Sequence, residues 1–250
     1  MSMTSVLPIL STVIMLVFTG WVLQRYAVRR KPHFLFWGLG LAMFGAGSFG
    51  EVYLSFAWNR WVFFAWYLFG AALNAAWIGH GTVYLLFRKR WVHGITVILI
   101  LGSLVATALM LQVMPRLDAS SFTPAAPISE QYQEIMPAID DGATVRLSTP
   151  FFNIYGLITL VGGALWSSFL FWRKRIMPNR VLGNVLIAVG ALSIGLASTL
   201  TRLGVGSYLY LGELVAAALM FSGFMLAGKP APQEEESPSR AALKTSGVSS

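Results

Sequence analysis

The stretch HFLFWGLGLAMFGAGSFGEVYLSFAWNRWVFFAWYLFGAALNAAWIGHGTVYLLFRKR, residues 33–90, decides the fold. It contains two apolar runs, 33–57 and 61–87, whose interiors hold one carboxylate, Glu51, one amide, Asn74, and one imidazole, His80. A hydrocarbon core ~30 Å thick requires about 20 apolar residues in a helix, so each run is long enough to cross a membrane. Because lipid offers no hydrogen-bond partners to the backbone, we expect both runs to be helices.

Five further runs share this character, and together they predict an all-α membrane protein with seven transmembrane helices within residues 1–228. The predicted helices are 5–28, 33–57, 61–87, 92–113, 151–172, 181–201 and 207–227. Residues 114–150 form the long loop, with a short amphipathic helix around Ile128 to Ile139, and the loop is either a cap or a binding module. Residues 229–250 are rich in Pro, Glu, Ser and Gly, which predicts a disordered tail.

The composition excludes several classes of function. Hydrophobic residues make up 56% of the chain and charged residues 11%, well below the roughly 25% of a soluble domain. The absence of cysteine excludes disulfides, zinc–thiolate sites and iron–sulfur clusters. The basic residues stand at the ends of apolar runs, which does not suit nucleic acid. Since no hydrolase, metalloprotease or phosphate-loop motif is present, we expect no enzyme, no metal and no cofactor.

The distribution of basic residues predicts the orientation. Eleven basic residues lie in the short loops on one side of the predicted membrane, whereas the other side carries Arg60, Arg116, Arg146 and Arg202. The positive-inside rule then places the N-terminus outside and the C-terminus in the cytoplasm of a cell inner or plasma membrane. The bilayer itself and anionic lipids at the Arg/Lys clusters are the expected partners, and the sequence leaves open whether there is a protein partner.

Ionisable groups inside a membrane span indicate a candidate site, because each costs about 2.5 to 3.5 kcal/mol on insertion scales. At 1.5 Å per residue, Glu51, Arg202 and Glu213 lie at one level in the outer half. Tyr210 lies one turn from Glu213, and Asn74 lies deeper. These residues form either a site for a cation, a proton or a small polar ligand, or a clamp in which Arg202 pairs with one or both carboxylates. The first alternative predicts a small-solute or ion carrier, and the second agrees with a sensor or accessory subunit.

Other polar and small residues in the spans favour structural roles. His80 has no carboxylate at helical spacing, so we expect it to be hydrogen-bonded or interfacial, and Asn184 to join helices. Ala71, Ala75 and Gly79 recur every four residues, the spacing that lets two helices approach closely.

The two halves of the chain resemble each other, which predicts a parallel three-plus-one-plus-three repeat unless the likeness reflects composition alone. Gly20-Trp21 corresponds to Gly163-Ala164-Leu165-Trp166, and Tyr67-Leu68-Phe69-Gly70 corresponds to Tyr210-Leu211-Gly212. This layout is similar to that of the SWEET sugar transporters and, more distantly, of the opsins. An opsin requires a lysine in its seventh helix to hold retinal, and 207–227 contains none, so a retinal pigment is excluded.

A set of motifs resembles a family of uncharacterised bacterial proteins with seven spans, and this resemblance implies the fold without an activity. The motifs are Trp37-x-x-Gly40 with Glu51, Tyr67-x-x-Gly70-Ala71, Ala76-Trp77-x-Gly79-x-Gly81-Thr82-x-Tyr84-Leu85-Leu86, Leu182-Gly183-Asn184 and Tyr210-Leu211-Gly212-Glu213.

Overall fold

The computed structural model describes residues 3–87, 89–124, 126–202 and 209–229, without the side chains of 3–5 and 201–202. The helices are α1 Met3–Arg29, α2 Pro32–Leu54, α3 Arg60–Leu86, α4 Trp91–Val113, α5 Ile128–Ile135, α6 Val145–Arg173, α7 Pro178–Arg202 and α8 Leu209–Ala227. All except α5 are long and apolar enough to cross a membrane, which gives the seven predicted spans. The predicted tail beyond residue 229 and the first two residues of the predicted seventh helix lie outside the described residues.

The largest boundary difference concerns α6, which begins at Val145 and not at 151. The sequence prediction took Pro150 as the end of the loop, but the helix continues through this proline. A proline early in a helix removes one backbone hydrogen bond, here to the carbonyl of Arg146. Val145 and Thr149 are buried, so packing stabilises the extra turns at this end of α6.

Six of the spans form a closed ring in the order α1, α2, α3, α6, α7, α8, and α4 lies outside it against α3 and α6. The ring encloses an apolar core to which all six helices contribute, including Met15, Phe18, Leu41, Phe44, Ile78, Leu160, Ala188, Met220 and Phe224. We call the end of the bundle that carries residues 114–144 the loop end. The opposite end, with Arg29–Lys31, Lys89–Arg90 and Arg173–Arg175, is the basic end.

Small residues permit close crossings between neighbouring helices. The Cα atoms of Gly47 in α2 and Gly70 in α3 lie so close together that a β-carbon on either would collide with the other backbone. A β-carbon on Gly156 in α6 would likewise collide with the backbone of Ala75 in α3, and Gly79 faces the same helix. The prediction that the Ala75 and Gly79 stripe serves close helix approach is therefore confirmed.

Helix α3 contains a π-helical segment, Trp66–Leu73, that shifts its hydrogen-bond register. The backbone N–H of Asn74 donates to the carbonyl of Phe69, five residues earlier, and thereby leaves the carbonyl of Gly70 without its usual helical donor. The side-chain amide of Asn74 donates to that oxygen at 2.6 Å. The amide of Asn153 in α6 donates to the next carbonyl, that of Ala71, at 3.1 Å. The side chains of two asparagines thus donate hydrogen bonds to two carbonyls of the π-helical segment. Such segments are frequent at functional sites.

Residues 117–144, which we call the cap, pack over the loop end. Ile128, Ile135 and Met136 are almost fully buried against α3 and α4, so the cap is a packed layer of the fold. Within an exposed turn of the cap, the backbone N–H of Ser120 donates to Asp118 Oδ1 at 2.9 Å and holds the pKa of Asp118 below its usual range. The predicted amphipathic helix in this loop is α5, which ends four residues earlier than expected.

Candidate functional site

Two carboxyl groups meet inside the bundle beneath the cap. Glu51 lies three residues before the end of α2 and Glu213 four residues after the start of α8, so antiparallel helices bring them to one level. The two carboxyl groups are neighbours that interact electrostatically. Their side chains are only 2% and 9% exposed. Oε2 of Glu51 and Oε2 of Glu213 are both buried without a partner of hydrogen-bond geometry.

Two aromatic side chains surround this pair and connect it to the cap. Trp66, the first residue of the π-helical segment, donates its indole N–H to Glu51 Oε1 at 3.2 Å and packs against the ring of Tyr132 in α5. Tyr210, 3% exposed, lies within electrostatic range of both carboxyl groups and beside the backbone of Ile128. We call Glu51, Glu213, Trp66 and Tyr210 the carboxyl site.

Unpartnered hydroxyl groups occur at the same level of the bundle. Ser48 lies one turn before Glu51 on the same face of α2, and its buried hydroxyl oxygen has no partner. The ring contacts Phe18–Phe221 and Trp21–Phe224 set the register between the parallel helices α1 and α8.

That register places Ser11 of α1, also buried and unpartnered, at the level of Glu213. By contrast, Thr12, Ser103 and Thr107 each donate to the carbonyl four residues earlier. Four of the six buried, unpartnered side-chain oxygens in the described residues thus lie near one depth on α1, α2 and α8. Because most buried polar atoms in proteins are hydrogen-bonded, this grouping indicates a place for a polar ligand.

The structure places the five sequence-predicted site residues differently. It brings Glu51, Tyr210 and Glu213 together. Asn74 lies deeper, where its amide is used by Gly70. The side chain of Arg202 lies outside the described residues, so its pairing with Glu51 or Glu213 stays a prediction.

The chemistry of the carboxyl site suits a proton or a small hard cation. Its potential ligands are carboxylate and hydroxyl oxygens, which hard cations prefer, and no soft sulfur or imidazole donor belongs to it. No group of three or more His, Asp and Glu side chains that could hold a metal ion occurs among the described residues.

A second polar cluster lies between α3, α4 and α6, nearer the basic end. His80 is fully buried, with Nδ1 2.7 Å from the hydroxyl of Tyr155 and Nε2 2.8 Å from the hydroxyl of Thr96. Tyr84 also contacts the hydroxyl of Thr96, at 2.9 Å. The prediction that His80 is a hydrogen-bonded residue of the fold agrees with this geometry.

The contacts of Thr96 favour one tautomer of His80. Thr96 has one hydroxyl hydrogen and donates it to the carbonyl of Val92 at 2.9 Å. With its hydrogen donated to Val92, the oxygen of Thr96 accepts from both His80 Nε2–H and Tyr84, and His80 Nδ1 accepts from Tyr155. Each side chain of this hydrogen-bond network has a partner, so the cluster fastens α4 to the ring.

Several of these residues are absent from the sequence-based candidates. Ser48 was predictable from the sequence, since it stands at helical spacing from Glu51. Tyr155 and Thr96 were not, because they are distant from His80 in the chain and become neighbours only when the helices pack. Trp66 was not predictable either, because a tryptophan near the end of a span is usual at a membrane interface and does not by itself indicate a bond to a carboxylate.

These features define the class of the protein as a polytopic membrane protein with a buried carboxyl pair under a packed cap. Comparison with known proteins does not narrow the class, because no family model, no curated protein and no solved structure matches the chain. The resemblance to bacterial seven-span proteins, and to SWEET and opsin architectures, stays a prediction.

Proposed function

We propose that this protein is a membrane carrier for a small cation, the proton included, and that the carboxyl site binds it. One observation carries the proposal: two neighbouring carboxyl groups, both buried, each with an oxygen that lacks a partner. Buried carboxylates in membrane spans are costly and mark ion and proton pathways in pumps and transporters. A bound cation would occupy the unpartnered oxygens and offset the repulsion between the two charges.

The arrangement around the carboxyl site fits an occluded state of such a carrier. The cap covers the carboxyl site at the loop end, and Trp66 and Tyr210 link the site to the cap. Toward the basic end, the apolar core with Phe18 and Phe44 fills the ring. Transport would therefore require the cap to open on one side and the core to part on the other.

The orientation and the repeat are part of the same proposal. The basic end is cytoplasmic by the positive-inside rule, so the cap faces outward from a cell inner or plasma membrane. The order of helices around the ring supports a parallel repeat. If α1, α2 and α3 are exchanged with α6, α7 and α8, respectively, every pair of neighbouring helices is again a pair of neighbours. No catalytic role is included in the proposal.

A second candidate function is a sensor or accessory subunit that binds the same ligand without transporting it. The apolar core favours this alternative, since below the carboxyl site the ring is filled mainly by side chains such as Leu41, Met220 and Phe224. Such a protein would use ligand binding to alter the cap, and a protein partner would read that change.

The binding test uses the full chain purified in mild detergent. Apparent melting temperature is measured in choline chloride while sodium, potassium or lithium replaces choline at constant ionic strength, and again over a pH series. A ligand at 100 times its Kd stabilises the folded state by about 2.7 kcal/mol. Glu51→Gln and Glu213→Gln should abolish the response, whereas Glu134→Gln, an exposed acid of α5, should retain it.

The transport test uses the same variants in proteoliposomes. Uptake of the stabilising cation, or dissipation of a pH gradient, that is lost in Glu51→Gln and kept in Glu134→Gln supports the carrier. Binding without flux supports the sensor or accessory subunit. If no cation and no pH change alters stability through Glu51 and Glu213, the proposed binding site is wrong.

A further inference from the structure

A crevice of about 650 Å³ opens at the basic end between the last turn of α6 and the first turns of α7. Its wall is apolar, and two arginines also line it. The apolar side chains include Phe171, Trp172, Ile176, Val181 and Leu182. The arginines are Arg173 and Arg175. The crevice therefore offers positive charge and apolar surface side by side, at the depth where a membrane span ends.

The positive charge of this crevice has no counter-charge in the described part of the chain. All seven described carboxylates lie at the loop end or in its cap: Glu51, Asp118, Glu130, Glu134, Asp140, Asp141 and Glu213. Arg180 lies 5.6 Å above the ring of Phe171, which adds a third guanidinium beside the crevice. Charge complementarity thus calls for an anionic occupant.

The backbone holds the crevice in a defined shape. Arg175 and Met177 have φ of 52° and 51°, a left-handed conformation that non-glycine residues seldom adopt. The backbone N–H of Ile176 donates to the carbonyl of Phe171 at 3.1 Å, and that of Arg175 to Trp172 at 3.0 Å. The turn that carries the arginines is therefore fixed by main-chain hydrogen bonds.

We propose that this crevice is a binding site for one anionic glycerophospholipid. The guanidinium groups of Arg173 and Arg175 bind the phosphate, for which their planar fork of N–H donors is suited. The apolar wall, with Val181 and Leu182, takes the upper part of an acyl chain. Trp172 is 68% exposed and lies beside the headgroup region, where tryptophan is favoured. A free phosphate would bind the arginines and leave the apolar wall uncovered.

The test measures lipid binding to the full chain in mild detergent by native mass spectrometry. Phosphatidylglycerol and phosphatidylcholine are titrated separately, and inorganic phosphate is added as a competitor. We expect one saturable phosphatidylglycerol per chain, little binding of phosphatidylcholine, and no displacement by millimolar phosphate. Arg173→Gln and Arg175→Gln should each weaken the affinity about 5-fold, the effect of one basic residue near an anionic headgroup.

Two further variants separate the crevice from general surface charge. Arg29→Gln with Lys31→Gln removes two charges, one more than either arginine variant, from the basic end at residues that do not line the crevice, and should leave the saturable site intact. Val181→Trp places a larger side chain where the acyl chain would lie against the apolar wall. It does not change the charge and should weaken lipid binding at least 5-fold. Melting temperatures verify that each variant is folded.

Three results would overturn the proposal, and the first needs no variant. Equal binding of phosphatidylglycerol and phosphatidylcholine by the wild type would exclude an anion site. An equal loss in Arg29→Gln/Lys31→Gln would reduce the effect to surface charge. Displacement by phosphate, with no effect of Val181→Trp, would identify a phosphate site that makes no use of an acyl chain.

Discussion

Replacing Glu51 with Gln is expected to stabilise the protein while it removes the response to cations. Glutamine has nearly the shape of glutamate, and its carbonyl oxygen can still accept the indole N–H of Trp66. Its amide adds N–H donors beside Glu213 Oε2 and near Ser48, two groups that lack partners in the wild type. The substitution also leaves a single carboxyl group in this buried pair, whose two members interact in the wild type.

The expected magnitude follows from the hydrogen bonds gained and weakened. A new bond to the remaining carboxylate contributes about 1.5 to 3 kcal/mol. The bond from Trp66 becomes neutral and loses about 1 kcal/mol, because charge-assisted bonds are roughly twice as strong as neutral ones. The net gain is about 0.5 to 2 kcal/mol, which corresponds to a rise in melting temperature of about 1 to 8 °C for a chain of this length.

The assay compares melting temperatures of the wild type, Glu51→Gln, Glu213→Gln and the double variant at pH 7 in choline buffer. Exposed Glu134→Gln is the control and should change stability by less than about 0.5 kcal/mol. The reasoning is refuted if both single substitutions destabilise the protein. If in addition Arg202→Gln couples to either of them by more than about 1 kcal/mol in a double-mutant cycle, Arg202 is a clamp for the carboxylates.

Three further predictions concern the packing of the bundle. Asn74→Ala should destabilise by about 1 to 3 kcal/mol, because the carbonyl of Gly70 loses its 2.6 Å hydrogen bond from the Asn74 amide, and the cation response should persist. Gly156→Ala should destabilise by about 1 to 3 kcal/mol, because the added methyl group collides with the backbone of Ala75. Thr96→Val should destabilise by about 1 to 3 kcal/mol, because Nε2–H of the buried imidazole loses its acceptor, and hydrogen exchange in α4 should increase. Melting temperature measures the first two, and exchange mass spectrometry the third.

Gly156→Ala has a matched control in the same helix, and a contradicting result can be stated for each of the other two variants. Gly162→Ala in α6 adds a methyl group where no atom lies within 4 Å and should be nearly neutral, so an equal loss there would contradict the crossing argument. Loss of the cation response in Asn74→Ala would return that amide to the binding site. Unchanged exchange in Thr96→Val would show that the polar cluster does not fasten α4.

The seven spans could be predicted from the sequence because the bilayer imposes one requirement on every segment. A run long and apolar enough to cross must be a helix, whichever helices surround it. The start of α6 was the exception: Pro150 reads as a helix breaker, and the burial of Val145 that stabilises the preceding turn depends on the cap. Helix ends are decided by packing as much as by local sequence.

The carboxyl site was predicted in part. Counting residues at 1.5 Å each placed Glu51, Glu213 and Tyr210 at one depth, because depth in a membrane follows from position along a span. The same count included Asn74 as a site residue, but the π-helical segment of α3 shifts the register there and turns the amide onto Gly70. No periodicity in the sequence marks such a segment.

The sequence by itself determined the number of spans, their approximate ends and the depth of each ionisable side chain, because hydrophobic length and residue count are local properties. Only the tertiary structure decided which helices are neighbours, that Trp66 bonds to Glu51, and that Tyr155 and Thr96 complete the contacts of His80. The physical reason is that rotation about a helix axis is set by close crossings, such as Gly47 on Gly70, and these arise from pairs of residues far apart in the chain.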